Sequence, residues 1–467
     1  MYSFIICFVI LVASYFIYGK LIEKIAGVDE TQKTPSFRLK DGIDYMPMSK
    51  MKNFLIHFLN IAGLGPIFGA IQGALFGPAA FIWIVAGTIF IGCVHDFFSG
   101  FMSMRNDGLT MPNIISKYLG SKIQKIMAVI IVITGIFVSA TFAKGSADLL
   151  FNLTDTSLLL WITIIFIYFL IATVFPIDKI IGKIYPIFGA LLLLMVILMT
   201  GALILNPSYT IPEFTTQGLY LTNKSIFPYL FITIACGAIS GFHASQSPIV
   251  ARCIENEKDA RPVFFGAMVL EGLVALCWAA ITMAFFHGQP QLAVLYGATP
   301  SLAVNEMSRI LLGPVGLVLT IIGVVICPIT SGDTALRSSR ITIADELKLN
   351  QEKIISRLKL AVPLFLAAYG LTFVDFTLIW RYFAFLQLIV ATIILYATSV
   401  YLIQKEKPYI VALLPAIVCT LIATGYILQA PEGLRLPSMI ANMIAIITTI
   451  IISIIFLKKF KYLQKTV

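Results

Sequence analysis

Long apolar runs separated by short polar segments make up most of this chain of 467 residues. Hydrophobic residues account for 59% of the sequence and charged residues for 12%, and the mean hydropathy is +0.94. A water-soluble protein of this length could not bury so much apolar surface, whereas a membrane-spanning helix needs about 20 apolar residues. Helices also satisfy their own backbone hydrogen bonds in lipid. The sequence therefore predicts an all-α polytopic membrane protein.

The apolar runs predict about 13 transmembrane helices. Their approximate spans are 2–18, 53–76, 78–104, 122–146, 157–175, 184–205, 226–247, 263–286, 311–331, 358–374, 380–403, 409–428 and 437–457. If these helices alternate across the bilayer, 28 of the 33 Lys and Arg residues lie on one side, which is the cytoplasmic side by the positive-inside rule. We therefore expect the N-terminus outside, the C-terminus in the cytoplasm, and a net charge of +10 that reflects topology rather than a nucleic-acid partner.

The predicted second helix contains residues that weaken a helix in the middle of the membrane. An interior glycine costs about 0.5–1 kcal/mol relative to alanine and a proline about 3 kcal/mol. Pro66 lacks an amide hydrogen, and its ring obstructs the carbonyl of Ala62. Close helix packing explains the glycines from Gly69 onward but not this break. The candidate substrate-binding residues here are Asn60, Ala62, Gly63, Gly65 and Pro66.

A second break is predicted in the seventh helix, where small and hydroxyl-bearing residues crowd around a histidine over 236–248. The candidate substrate-binding residues at this break are Gly237, Ser240, Gly241, His243 and Ser245. Interrupted helices in corresponding positions of two halves indicate a transporter binding site.

The order of the two broken helices indicates an inverted repeat. Because they are the second and the seventh helix, they cross the membrane in opposite directions. This architecture resembles the leucine-transporter fold, in which two repeats of five helices each contain one broken helix. The predicted units are a peripheral helix with a cytoplasmic loop (1–52), a first repeat (53–225), a second repeat (226–403) and two peripheral C-terminal helices (404–467). The segment 338–360 is predicted to form an amphipathic cytoplasmic helix.

Ionisable residues inside apolar spans need a reason, because a charge there costs at least about 2.5–3.5 kcal/mol. Glu271 either carries a proton or ties helices together through hydrogen bonds. Asp96 either fastens the third helix to a partner or takes part in ion coupling. His57 and His243 could form a proton-sensitive pair, whereas a metal site lacks carboxylates or cysteines at supporting spacing.

The end of the ninth helix carries a second candidate for ion coupling. Pro328 opens the backbone, and Thr330, Ser331 and Asp333 follow it. These oxygens could form a sodium-like site, or they could be a polar helix end with an Asp333–Arg337 pair. The seven cysteines show neither disulfide nor zinc spacing. We expect no cofactor other than a coupling cation, with a proton favoured over sodium.

Six stretches together resemble the carbon starvation protein A (CstA) family. They are TPSFRLKDGIDYMP (34–47), HFLNIAGLGPIFGAIQGALFG (57–77), HDFFSGFMSMRNDG (95–108), FPYLFITIACGAISGFHASQSP (227–248), FGAMVLEGLVAL (265–276) and, more loosely, SGDTALRSSR (331–340). The resemblance implies a bacterial inner-membrane transporter of peptides, made during nutrient limitation, with some members taking up pyruvate with protons. It also implies the amino acid–polyamine–cation transporter superfamily.

The chain departs from the best-known members of that family in three ways. It is much shorter, and His95 stands where those members have glutamine, which argues against an essential role for this side chain. The sequence also diverges after Ser247, so the resemblance does not fix the choice of substrate.

These observations predict a secondary active transporter and not an enzyme. It would import short peptides, pyruvate or another small carboxylate by cation-coupled alternating access. Three alternatives remain open from the sequence. A channel would need a continuous polar stripe in several helices, an intramembrane enzyme would need a nucleophile and a base within reach, and a nutrient sensor would bind the solute without moving it.

Overall fold

The computed structural model describes residues 1–42, 44–154, 156–174, 177–215, 225–287, 300–351 and 353–461. Across these ranges the chain is helical, and an isolated β-bridge pairs Met48 with Ile254. Ten of the helices are long and apolar enough to cross a membrane, two bent pairs each form one further span, and one apolar helix is shorter. The prediction of an all-α polytopic membrane protein with about 13 membrane helices is confirmed.

We number the membrane helices in chain order and use a and b for the parts of an interrupted helix. They are α1 (Tyr2–Ala26), α2a (Lys50–Ile61), α2b (Gly65–Phe76), α3 (Ala79–Arg105), α4 (Ser121–Thr154), α5 (Leu158–Val174), α6 (Ile177–Leu205), α7a (Ile226–Thr233), α7b (His243–Ala251), α8 (Glu257–Phe285), α9a (Pro300–Thr320), α9b (Cys327–Glu346), α10 (Ile354–Leu371), α11 (Phe376–Gln404), α12 (Ile410–Gln429) and α13 (Ser438–Lys461).

The ninth helix departs from its predicted span of 311–331. It begins with a helical segment that is kinked at Gly313, whose φ is +58°, and it continues through a π-helical stretch to Glu346. The prediction of a separate amphipathic helix over 338–360 is therefore wrong. Ser338, Ser339, Arg340 and Thr342 of this segment are buried in α9b, which ends at Glu346, and the next helix begins only at Ile354.

The second membrane helix is broken where its proline and glycines predict a break. The first part, α2a, ends at Ile61, and Ala62 leaves the helical conformation with φ −82° and ψ +54°. The second part, α2b, starts at Gly65 as a π-helical segment, and the two parts are bent by 53°. Pro66 at the start of α2b is tolerated because the first amides of a helix have no partner within it.

The seventh membrane helix is broken as well. A single helical turn over Ala235–Ala238 separates α7a from α7b. The bend of 58° lies between α7a and the segment Ala235–Ala251. Between this turn and α7b, Ser240 has a φ of +51°, a left-handed conformation that is uncommon outside glycine.

The two breaks meet, and their backbones are in direct contact. A methyl group on Gly65 would collide with the carbonyl oxygen of Cys236. A methyl group on Gly237 would lie 2.9 Å from Cα of Pro66 and 3.0 Å from the carbonyl oxygen of Gly65. Glycine at positions 65 and 237 therefore permits the crossing, because any side chain would hold the two helices apart.

This contact predicts opposite effects for two Gly→Ala substitutions. Gly65→Ala should lower the thermal stability of the purified protein, because overpacking against a backbone carbonyl costs about 1–3 kcal/mol. Gly201→Ala in α6 is the matched control: no neighbouring atom lies within 4 Å of the added methyl, so stability should stay the same or rise slightly. Heating followed by size-exclusion chromatography in detergent measures both. Equal stability of the two variants would contradict the crossing.

Candidate substrate and ion-coupling site

Asp96 is the centre of a buried polar cluster beside the crossing. It lies in α3, and its carboxylate is fully buried. One carboxylate oxygen lies 3.0 Å from Nε2 of His57 in α2a, and the other accepts a hydrogen bond from Ser247 of α7b at 2.5 Å. Asp96 therefore joins α3 to α2a and α7b, one part of each broken helix.

His243 lies between two buried carboxylates. Its Nδ1 is 3.6 Å from Oδ2 of Asp96, and its Nε2 is 3.2 Å from Oε2 of Glu271 in α8. Neither approach has the alignment of a hydrogen bond, so both ring nitrogens are close to a carboxylate without being fixed to it. An imidazole can accept a proton on one nitrogen and release one from the other. The order Asp96–His243–Glu271 is therefore a chemically competent route for a proton.

Glu271 connects this cluster to the second break. The side chain is fully buried, and Oε1 accepts a hydrogen bond from the hydroxyl of Ser240 at 2.9 Å. The same hydroxyl also donates to the carbonyl of Cys236, the residue whose backbone contacts Gly65. Ser240 therefore contacts both the carboxyl group of Glu271 and the backbone of the crossing.

Two polar side chains at the second break were missed by sequence reasoning. His95 contacts the carbonyl of Ile239, which lies in the interruption, through Nε2. Gln387 of α11 accepts a hydrogen bond from the amide of Phe242 at 2.5 Å, and within the described residues its Nε2 has no partner. The available signal for Gln387 was a lone amide side chain in the middle of an apolar span. The departure of His95 from the family pattern argued against an essential role for this side chain.

The carbonyls at the first break are partnered by α9b. The carbonyl of Ala62 accepts from Cys327 Sγ at 2.9 Å, and the carbonyl of Leu59 accepts from Ser331 Oγ at 3.1 Å. Thr330 donates to the carbonyl of Cys327 in its own helix. Ser331 thus lies beside backbone oxygens of the break, an arrangement that fits either a cation site or a polar contact between helices.

The remaining predicted site residues lie apart from the Asp96 cluster. Asn60 lines a cavity of about 30 Å³ on the inner side, together with Gln246 of α7b. Ser245 lines a different cavity of about 10 Å³ and donates to the carbonyl of Phe242. Asp333 is buried in α9b. Gly63 packs against the ring of Phe142, and Gly241 packs against the backbone of Gln387.

In the part of the chain that the structure describes, no three His, Cys, Asp or Glu side chains are arranged to hold a metal ion. The seven cysteines are all present as thiols. The chemistry of the buried cluster is therefore that of carboxylates, imidazoles and hydroxyls.

Comparison with known proteins gives a match to the family model described as carbon starvation protein CstA, over residues 1–158 and 145–310. An uncharacterised membrane protein of Haemophilus influenzae is 40% identical over 337 residues, which cover 61% of this chain and 91% of that protein. A peptide transporter CstA of Bacillus subtilis is 30% identical over 332 residues, covering 57% of this chain and 55% of the relative. A pyruvate/proton symporter BtsT of Escherichia coli is 27% identical over 326 residues, covering 55% and 45%. The chain thus spans about half the length of the named transporters.

A solved structure supports the fold. The crystal structure of MhsT in complex with L-phenylalanine matches 86% of this chain and 99% of its own chain with a TM-score of 0.58, at 15% sequence identity. At this identity the likeness shows the fold alone. The leucine-transporter-like fold predicted from the two broken helices is confirmed.

The Asp96–Ser247 contact predicts a measurable coupling between the two side chains. Asp96→Asn and Ser247→Ala should each lower thermal stability, and the double variant should lose less than the sum, with an interaction energy of about 0.5–3 kcal/mol. The control cycle pairs Asp96→Asn with Ser146→Ala, a buried serine that donates instead to the carbonyl of Val325. Additive losses in both cycles would show that Asp96 and Ser247 do not interact.

Proposed function

The chain belongs to the carbon starvation protein CstA family, and we propose that it is a secondary active transporter that imports a small carboxylate-bearing solute together with a cation. Short peptides and pyruvate are the first candidates, and alternating access is the mechanism. The observation that carries the proposal is the crossing of the two broken helices beside the buried cluster of Asp96, His243 and Glu271.

The helix termini at the crossing support a carboxylate-bearing solute. Both α2b and α7b begin at the breaks, so their N-terminal amides and positive dipole ends lie near the middle of the membrane. The amides of His243, Ala244 and Ser245 at the start of α7b donate to carbonyls of the break, so a carboxylate would meet the positive dipole end and replace some of these hydrogen bonds. A carboxylate held there would contact both halves of the inverted repeat at once, which links binding to a movement of one half relative to the other.

The buried cluster supports a proton as the coupling cation. The carboxylates of Asp96 and Glu271 and the imidazole of His243 are in contact and fully buried. An unbalanced charge in this cluster is unfavourable, because there is no solvent to stabilise it. Adding or removing one proton therefore changes the most stable arrangement of α3, α7b and α8. Glu271 passes this change to Ser240, and Ser240 lies in the second break. Sodium remains the alternative through Ser331 and the carbonyls of the first break.

Counterflow in proteoliposomes tests the proposal. Vesicles loaded with an unlabelled solute are diluted into the labelled solute, using pyruvate, dialanine and alanine, with and without sodium and at several pH values. We expect counterflow of at least one carboxylate solute without sodium, and net uptake of the same solute into unloaded vesicles when a pH gradient is imposed. Ion conduction in single-channel recordings without any exchange would contradict the proposal.

Glu271→Gln is predicted to separate transport from proton coupling. The amide keeps the size of the side chain and cannot exchange a proton at physiological pH, so the pH dependence of uptake should flatten while solute binding persists. Glu306→Gln in α9a, a half-buried glutamate of another helix, is the matched control and should keep the wild-type pH dependence. If both variants retain that pH dependence, Glu271 has no part in coupling.

A further inference from the structure

A separate cavity of about 170 Å³ lies on the predicted outer side of the crossing. It is enclosed by α2b, α7a, the start of α11 and α12, and its lining includes Gln72, Thr233, Phe376, Trp380 and Arg381. The ring of Trp380 packs beside Gly69, one helical turn along α2b from the crossing glycine Gly65. The cavity is therefore one turn of helix away from the proposed central site.

The ring of Trp380 forms part of the cavity wall. Trp380 is 1% exposed, and its indole Nε1 is itself buried, so the ring and not the N–H faces the cavity. Trp380 therefore supplies apolar surface, and the polar contact must come from a neighbouring side chain.

The next residue, Arg381, supplies a positive charge at the same cavity. Its Nε lies 3.0 Å from Oε1 of Glu432, a carboxylate only 6% exposed, and Tyr426 donates to the same oxygen at 2.5 Å. A guanidinium has five N–H donors in a fork that matches a carboxylate. The contact with Glu432 shows that this guanidinium pairs with a carboxylate, and the carboxylate of a solute would compete with Glu432 for its donors.

We infer that this cavity is a first binding site for the carboxylate of the solute, with the guanidinium of Arg381 as its donor and Glu432 as the internal competitor. The inference rests on the proposed import of a small carboxylate. The volume lies below the roughly 300–1,000 Å³ of pockets for drug-sized ligands, so it suits a solute the size of pyruvate or a single amino acid. The aromatic rings of Phe376 and Trp380 would enclose its apolar part.

Two substitutions test the donors. Arg381→Gln should raise the KM for pyruvate uptake about tenfold or more, because a hydrogen bond to a charged group is lost, while Vmax stays within about a factor of three. Arg381→Lys, which keeps the positive charge and loses the fork of donors, should raise KM by less than Arg381→Gln does. Arg309→Gln is the matched control, since Arg309 is an exposed arginine of α9a on the same predicted side and does not line the cavity.

A measurement of solute binding without transport tests this inference independently of the proposed function. Equilibrium dialysis in detergent measures binding of labelled pyruvate, with the uncharged pyruvamide as competitor. Binding that Arg381→Gln weakens, that Arg309→Gln leaves intact and that pyruvamide does not displace supports the cavity, even if the protein moves no solute. Equal effects of the two arginine variants, or no pyruvate binding by the wild type, would overturn the inference. If Arg381→Gln does not fold, Arg381→Lys carries the same comparison.

Discussion

The backbone contact between the two broken helices is the constraint on which the rest of the structure depends. Gly65 and Gly237 bring the two main chains so close that a single methyl group on either would collide with the other helix. The contact fixes where both helices can be interrupted, since α2b and the turn before α7b must pass each other at that point. It also places the N-termini of two helical segments near the middle of the bilayer, where protein rather than lipid must satisfy their backbone groups.

The Asp96 cluster is positioned by this crossing and in turn holds it. Asp96 contacts His57 before the first break and Ser247 after the second, so α3 ties α2a and α7b, one part of each broken helix, together. Glu271 contacts Ser240 within the second break. Because all of these side chains are buried, their hydrogen bonds are strong and their loss is expensive. A change of protonation would therefore act on the same helices that a solute at the crossing would contact.

Much of this architecture could be predicted from the sequence, because membrane helices are specified by local composition. Apolar runs located the helices, and Pro66 with its neighbouring glycines located the first break. The partners of Asp96 could not be predicted, because they come from two distant segments, α2a and α7b, that meet α3 only through tertiary packing. Gln387 gave a weak signal, a single amide in the apolar span of α11. The kink in the ninth helix was not predicted although Gly313 and Pro314 form a turn signal, because the apolar run that follows them indicates a continuous helix. The roles of the predicted site residues and the division into four units stay predictions.

A cryo-EM structure of the protein with bound solute tests the central claim most directly, namely that solute passes between the two broken helices. The solute to use is the one that exchanges best in counterflow. We expect its density between residues 62–66 and 239–242, with its carboxylate facing the start of α2b or α7b. Density on a different route, or a continuous backbone helix through either break, would contradict this mechanism.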